Sequence, residues 1–437
     1  MVKAGELSPA FLHLHLHLHH KENIVAKAKT ITRGSGDYDI DDFDSMMEKV
    51  TSGIDLVTTI DPSQCLEWVG SGNIAVNLAC SGHPLHAFPF GRMINMEGES
   101  DTGKTLLAQT AMREAQQKYQ HLFRGLYIDT ERGVVTNRLE SMGMFCKWKK
   151  PAKGKIPPEK IDNYDQTGDP RAGTFRLVQT TDLTALADTI IPPFLAAARN
   201  RPDMRFALAL DSMSMLVTEH ERSTEFGTKD MARALEIRKF MRLLNDSFPP
   251  NLIMFLIHHQ SDRISTSGML AAKTGSHNKD ISGGKAVKYV PDVRIEVDYG
   301  GKETRGSGDK SKVIGQVAKV RVIKTRLHRP MLEARAIIDF NKGFTQTGGL
   351  WGQLDDLGLI NKDGKMWQCP GITGEKKYYE GNLKDELEKP ENAEKIVDLI
   401  VSRMQIDEFG GGNDTTPDPE PETKSAGEDP LGLSELT

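Results

Sequence analysis

Eight consecutive residues, Gly98-Glu99-Ser100-Asp101-Thr102-Gly103-Lys104-Thr105, carry the densest chemical information in the chain. They follow the pattern G-x-x-x-x-G-K-[ST]. Two glycines let such a backbone curl until successive N–H groups point at one cluster of phosphate oxygens. Lys104 supplies a point charge for the β- and γ-phosphates, and the Thr105 hydroxyl is of the type that ligates Mg²⁺. The run after it reads as a helix whose N-terminal dipole would face the anion. Residues 92–97 before it read as a strand. Strand, glycine-rich loop and helix in that order point to nucleotide binding rather than to a surface turn.

Other chemically able groups stand at the ends of apolar runs. Residues 206–210 are continuously apolar and end in Asp211; residues 252–257 end in His258-His259-Gln260. Such runs read as buried parallel strands, and polar groups at their carboxyl ends are where ligands sit in open α/β sheets. A strand over 122–129 ends in Asp129-Thr130-Glu131. An acid placed there can orient a water molecule, or simply begin a helix. Lys324 and Arg326, at and just past a strand predicted over 317–324, read by themselves as alternating exposed charges.

The elements that must position these groups follow in order. Helices are predicted over 132–143, 184–198 and 229–246; Pro192-Pro193 must kink or split the second. Strands near 293–297, 317–324 and 335–340 complete an α/β pattern, which implies a mostly parallel, doubly wound sheet. Residues 261–284 form a long polar loop, and 147–173 a long surface insertion rich in Lys, Pro and Gly. The lysines of that insertion (Lys147, Lys149, Lys150, Lys153, Lys155) either touch a polyanion or are simply solvated. After Gly348 the predicted helices over 350–359 and 385–404 flank a β-like stretch holding Trp367 and Tyr378-Tyr379, a small α/β domain. Near the start, residues 41–51 have a helical apolar pattern. Residues 11–20 alternate Leu and His, the pattern of a metal-binding or pH-sensitive strand edge, or of low-complexity sequence. The organisation expected is an N-terminal arm (1–60), an ATPase-type core (61–345), a small C-terminal domain (346–410) and an acidic tail (411–437).

Composition narrows the class. The chain has 437 residues with 27% charged and 6% aromatic. It contains no apolar run of membrane-span length and no recognisable secretory signal, so a soluble, cytoplasmic protein without membrane contact is expected. Four cysteines, Cys65, Cys80, Cys146 and Cys369, are too scattered for a metal knuckle and fit reduced thiols. The net charge of −5 is unevenly placed, because seven acids and one base lie between Asn413 and Thr437. A near-neutral body with an acidic tail is compatible with a DNA-binding surface for which the tail competes, and equally with a solubilising end.

The order of motifs is more specific than any one of them. Thr102-Gly103-Lys104-Thr105, Ile128-Asp129-Thr130-Glu131, Leu210-Asp211-Ser212, Ile257-His258-His259, Ser282-Gly283-Gly284-Lys285 and Val322-Ile323-Lys324-Thr325-Arg326 follow one another as in the RecA family of recombinases. The chain resembles that family from about residue 71 to residue 404, with an acidic tail beyond. The resemblance implies a RecA-like ATPase core with an N-terminal helical arm and a small C-terminal α/β domain. It implies ATP and Mg²⁺ held by Gly98 to Thr105, Asp211 as a metal-binding acid, and Glu131 as the catalytic carboxylate. His259 matches a γ-phosphate sensor at the root of a DNA-binding loop, and Lys324 and Arg326 match cations that reach a neighbouring subunit's ATP. Met231, Arg263, Ile264, Gly283, Gly284 and Lys285 fall where the family contacts DNA. Arg138 stands at the adenine-stacking position, where the family commonly has Tyr.

The implied activity is ATP-dependent homologous pairing and strand exchange in helical filaments. The implied partners are single-stranded DNA, a homologous duplex, other copies of the chain, and single-stranded-DNA-binding and mediator proteins. The same core also serves ring-forming helicase motors and could persist in a DNA-binding mediator that no longer hydrolyses ATP.

Overall fold

Continuous apolar runs and alternating ones build different halves of one sheet. In this computed structural model the described residues are 67–404, except 152–155, 157, 224–230, 247, 263–278, 282–284, 306–311, 328–331 and 341. The expected N-terminal arm, the helix over 41–51, the His/Leu stretch and the acidic tail lie outside them. So do Arg263, Ile264, Gly283 and Gly284, and the side chains of Met231 and Lys285.

A short antiparallel pair, β1 (Trp68–Val69) and β2 (Phe88–Pro89), precedes the main sheet. The main strands are β3 (Arg92–Gly98), β4 (Phe123–Asp129), β5 (Phe175–Gln179), β6 (Arg205–Asp211) and β7 (Leu252–Asp262). They continue with β8 (Lys279–Ile281), β9 (Val293–Arg305), β10 (Lys312–Lys324), β11 (Glu333–Asp339) and β12 (Gly343–Phe344). Their order is β12-β11-β10-β9-β3-β7-β6-β4-β5, with β8 paired to the end of β7. From β9 to β5 every pairing is parallel, and from β9 to β12 every pairing is antiparallel. The fold is therefore α/β with a mostly parallel central sheet.

Burial explains the two halves. Phe206 to Leu210 and Leu252 to Ile257 are almost wholly buried, because helices cover both faces of the parallel half. The helix Lys104–Tyr119 lies on one side, against a cluster that includes Ile94, Met96, Ala207 and Phe255. The helices Ile191–Asn200 and Met231–Asp246 lie on the other, where Ile191, Leu195, Ile237 and Met241 pack with Met93, Leu208, Leu210, Met254 and Leu256. In β10, beyond a register shift at Val317/Ala318, the buried Ala318, Val320 and Val322 alternate with Lys319 and Arg321, as expected of a half-covered strand.

Several predicted elements change. The helix expected over 132–143 is only Thr136–Ser141, because Asp129 organises the preceding turn: its carboxylate accepts from the Glu131 and Val134 N–H groups at 3.1 and 3.0 Å. The double proline is accommodated by a π-type turn, Leu186–Ile190, in which the Ile191 N–H donates to the Leu186 carbonyl. Pro192 and Pro193 then occupy the first turn of the next helix, where a missing donor costs least. The loop expected over 261–284 is in part a strand, since Lys279–Ile281 pairs with Gln260 to Asp262. The strands expected over 293–297 and 317–324 are longer and pair along most of their length.

In the C-terminal region the helix predicted over 385–404 is two helices, Glu380–Leu387 and Ala393–Met404, separated at Pro390. A hairpin of β13 (Asn361–Asp363) and β14 (Met366–Gln368) precedes them. Their apolar faces (Leu383, Leu387, Ile396, Ile400) belong to the same cluster as the sheet face under the helix Lys104–Tyr119. Among the described residues no helix is long and apolar enough to cross a membrane.

Candidate nucleotide-binding site

The carboxyl ends of β3, β4 and β6 and the root of the β7 extension open onto one cleft of about 580 Å³. Gly98 ends β3 and turns into the loop. A Cβ at Gly98 would lie 2.1 Å from the Val297 carbonyl oxygen, so only glycine fits there. Gly103 has φ 105°, and a Cβ on it would lie 2.6 Å from the Ile338 side chain. Asp101 adopts φ 61°, one of the few left-handed residues that is not glycine. These three turns bring Ser100, Asp101, Gly103, Lys104 and Thr105 to the cleft wall.

Lys104 is 3% exposed. Its ammonium donates to the Glu99 carbonyl and lies 3.5 Å from the Thr102 hydroxyl. The Thr102 hydroxyl also donates to the Glu99 carbonyl, at 3.0 Å. Burial pulls the Lys104 ammonium down to about 8, against the attraction of Asp211, Glu131, Asp101 and Glu99. A phosphate in the cleft would reverse that effect by supplying a direct counter-charge.

Asp211 ends β6 and is 4% exposed. One of its oxygens, Oδ2, accepts from both the Thr105 hydroxyl at 2.7 Å and the Tyr127 hydroxyl at 2.6 Å. The other, Oδ1, is buried and has no partner among the described residues. Burial pushes the Asp211 carboxyl up, and the hydrogen bonds from Tyr127 and Thr105 pull it back. A hard divalent cation beside Thr105 would satisfy this orphaned oxygen, so the donor set fits Mg²⁺.

Glu131 follows β4 by two residues. Its Oε1 accepts the Ser212 hydroxyl at 2.6 Å and lies 2.6 Å from His259 Nε2. A carboxylate can only accept, so the imidazole carries its proton on Nε2. His259 Nδ1 lies 3.4 Å from the Ser100 hydroxyl. The hydrogen bond from His259 holds the Glu131 carboxyl below the usual range; partial burial opposes it, and Ser212 and Lys104 reinforce it. Next to it, His258 is fully buried with neither ring nitrogen partnered among the described residues, and burial pulls it down to about 3. The two adjacent histidines thus point to different faces of β7: one into the packed interior, one into the cleft.

The structure brings together Lys104, Thr105, Asp211, Glu131 and His259, and Arg138 also lines the cleft from the helix Thr136–Ser141. It does not bring Lys324 or Arg326 there. Lys324 pairs with Arg294, which stands beside Asn95, three residues before Gly98. Its ammonium donates to the Tyr289 and Pro291 carbonyls at 2.8 and 2.6 Å, and Arg326 pairs with Asp292 at 3.0 Å. Within one chain these cations hold the segment Tyr289 to Asp292 that leads into β9.

Tyr127, Ser212, Gln316 and Phe340 are site residues that sequence reasoning missed. Tyr127 shares a face of β4 with Asp129, two residues on, so strand alternation was an available signal. Ser212 directly follows Asp211 at the end of β6, so its place was equally available, whereas Gln316 and Phe340 reach the cleft only through chain reversal. Gln316 donates to the Asp101 carbonyl at 2.8 Å from the antiparallel half. Phe340, 57% exposed, and the equally open Val135 both line the cleft as apolar groups.

With this geometry in place, comparison with known proteins gives one consistent neighbour. The chain resembles proteins named RecA. It is 25% identical to Protein RecA of Acholeplasma laidlawii over 349 residues, which cover 78% of this chain and 88% of that protein. It is 24% identical to Protein RecA of a Nocardioides species over 311 residues, 70% and 74% of the two chains. With Protein RecA of Aquifex pyrophilus the figures are 23% over 341 residues, 76% and 81%. No protein-family model matches the chain. The similarities support a RecA-like family at low identity.

Proposed function

We propose that this chain is an ATP-dependent DNA recombinase of the RecA kind. The observation that carries the proposal is the Glu131 carboxylate, held by His259 and Ser212 across the same cleft as Lys104, Thr105 and Asp211. Lys104 and the N–H groups of the Gly98 to Thr105 loop would hold the phosphates of ATP. Thr105 and Asp211 would hold Mg²⁺, which screens phosphate charge when bound. Glu131, kept ionised by its partners, would accept a hydrogen bond from the attacking water and align it with the γ-phosphate. Arg138, Val135 and Phe340 would flank the base, with the guanidinium plane stacking in place of an aromatic ring.

His259 links this chemistry to DNA. It sits on β7, whose end pairs with β8 and leads into residues 263–278. An imidazole that exchanges Glu131 for a γ-phosphate oxygen would change the restraint on that strand. Met231, Arg263, Ile264, Gly283, Gly284 and Lys285 would then contact DNA, largely through its backbone, leaving base pairing to test homology. Lys324 and Arg326, remote from their own cleft, would complete the cleft of the next copy in a filament.

The test is ATP turnover with and without single-stranded DNA, with negative-stain images of the same samples. DNA-stimulated turnover in helical filaments, followed by strand exchange between homologous molecules, is the expected outcome. Closed rings would convert the reading to a motor, and filaments without turnover to a binding protein.

A further inference from the structure

The described residues of the segment after Cys146 build a cationic, aromatic surface away from the cleft. The Trp148 N–H donates to the Asn163 carbonyl and the Asp165 N–H to the Trp148 carbonyl, both at 2.8 Å. The Gly173 N–H donates to the Lys147 carbonyl at 2.9 Å, and a 3-10 turn spans Pro158–Asn163. Asp165 is buried, and its carboxylate accepts from Thr167 and from the Asp169 N–H. Asp169 is paired with Arg171. Two of the acids in the segment therefore face inward or are neutralised, and Asp162 remains exposed.

The cations face out. Lys147, Lys149 and Lys150 are all exposed. Between them Trp148 is 49% exposed, an unusual place for indole. The Arg176 guanidinium stacks 4.0 Å from its ring centroid. Arg124, on the adjoining strand β4, stands close enough to Arg176 and Arg201 to feel both charges. Arg124 and Arg176 are the second residues of β4 and β5, so this surface lies toward the opposite end of those strands from Asp129 and the cleft.

We infer that this surface binds single-stranded nucleic acid, its lysines along the phosphates and Trp148 as a stacking platform for an unpaired base. Cations alone would suit any polyanion. An exposed indole pinned by an arginine adds a face on which every base can stack and which an acidic peptide does not use. A duplex hides that face of its bases, so the single strand is the better ligand. The assignment uses no residue of the cleft, and its test is readable whether or not the chain proves to be a recombinase.

The test uses the full chain without nucleotide. Labelled oligothymidylate is titrated across a range of salt, then cross-linked by ultraviolet light and the attached peptides are mapped. Cross-links should include Trp148. The triple variant Lys147→Glu, Lys149→Glu, Lys150→Glu should bind more weakly, with a salt slope smaller by about 2, at about 0.7 for each phosphate no longer neutralised. Trp148→Ala should weaken binding roughly tenfold, and an abasic strand should bind the parent protein no better than the base-bearing strand binds this variant. Both variants should melt like the parent and turn over ATP at the parent rate. Absence of cross-links between 147 and 176, or an unchanged salt slope in the triple variant, would overturn the assignment. Weakening by charge reversal alone, with Trp148→Ala and the abasic strand indistinguishable from their parents, would also overturn it. That result would point to an acidic protein segment instead.

Discussion

The cleft and the segment beyond Cys146 both present cations to a polyanion, and they are constructed in contrary ways. In the cleft a single ammonium, Lys104, is buried, hydrogen-bonded and faced by carboxylates of which two, Asp211 and Glu131, are themselves held by hydrogen bonds. In the segment three lysines stand in solvent around one half-exposed indole. A buried, prearranged charge recognises one phosphate geometry, because its direction is set before the ligand arrives. Exposed charges recognise charge density, at a strength that salt controls. The cleft should therefore be sensitive to single atoms and to pH, and the segment to ionic strength.

The contrast can be broken most sharply at Glu131. Glu131→Gln keeps the shape and removes the anion that accepts from Ser212 and His259. Single-turnover ATP hydrolysis should fall by about 10²–10⁴-fold while nucleotide binding persists. Hydrolysis within a few fold of the parent would remove Glu131 from the chemistry.

Lys104→Ala comes next. Loss of the buried cation should reduce ATP turnover by roughly 10²–10³-fold. Oligothymidylate capture by the Trp148 surface without nucleotide should be unchanged. If both fall together, the two regions are not independent and the contrast fails.

Tyr127→Phe is subtler. It deletes only the hydroxyl that donates to Asp211 Oδ2, leaving Thr105 as that oxygen's donor. The apparent affinity for Mg²⁺ in ATP hydrolysis should weaken about tenfold, as for loss of one charge-assisted hydrogen bond. An unchanged Mg²⁺ dependence would mean that Tyr127 merely fills space.

The pH response is the smallest effect. Burial holds Lys104 near 8, so in the free protein the ammonium loses its proton between there and the ordinary lysine value. In that window the unfolded chain binds more protons than the folded one, so this group's contribution to stability rises with pH. Nucleotide affinity should fall in the same window, and ATP binding at about pH 9 should take up a proton. Calorimetry in buffers of different ionisation enthalpy reads that uptake directly. Lys104→Arg should abolish it, because a guanidinium keeps its proton throughout.

Much of the parallel half is legible in the amino-acid sequence. The runs ending in Asp211 and His258 are strands because only a fully covered strand can be apolar at every position. Gly98 to Thr105 form the loop that their spacing announces. Elements whose bounds depend on contacts elsewhere are less legible. The start of the helix at Thr136 depends on the Asp129 carboxylate holding the turn before it. β5 lies unrecognised at the end of a polar insertion, because a five-residue edge strand with an intermediate burial pattern has little apolar signal. The lysines of that insertion are compatible in sequence with either a solvated loop or a binding face. Only the packing of Trp148 and Asp165 gives them a fixed backing.

Local sequence thus specified the kinds of groups at the strand ends, since apolar runs, glycine spacing and the lysine-threonine pair are properties of neighbours along the chain. It could not specify which of those groups meet. Glu131 touches His259 and Ser212, and Asp211 touches Thr105 and Tyr127, across sequence separations of 81 to 128 residues. Those contacts exist because β4, β6 and β7 lie side by side in the sheet, an order that follows from how helices cover both faces and not from any one strand. Lys324 and Arg326 make the same point in reverse. Their motif implied the ATP of a neighbouring subunit, and the register of β10 against β9 keeps them out of the cleft of their own chain.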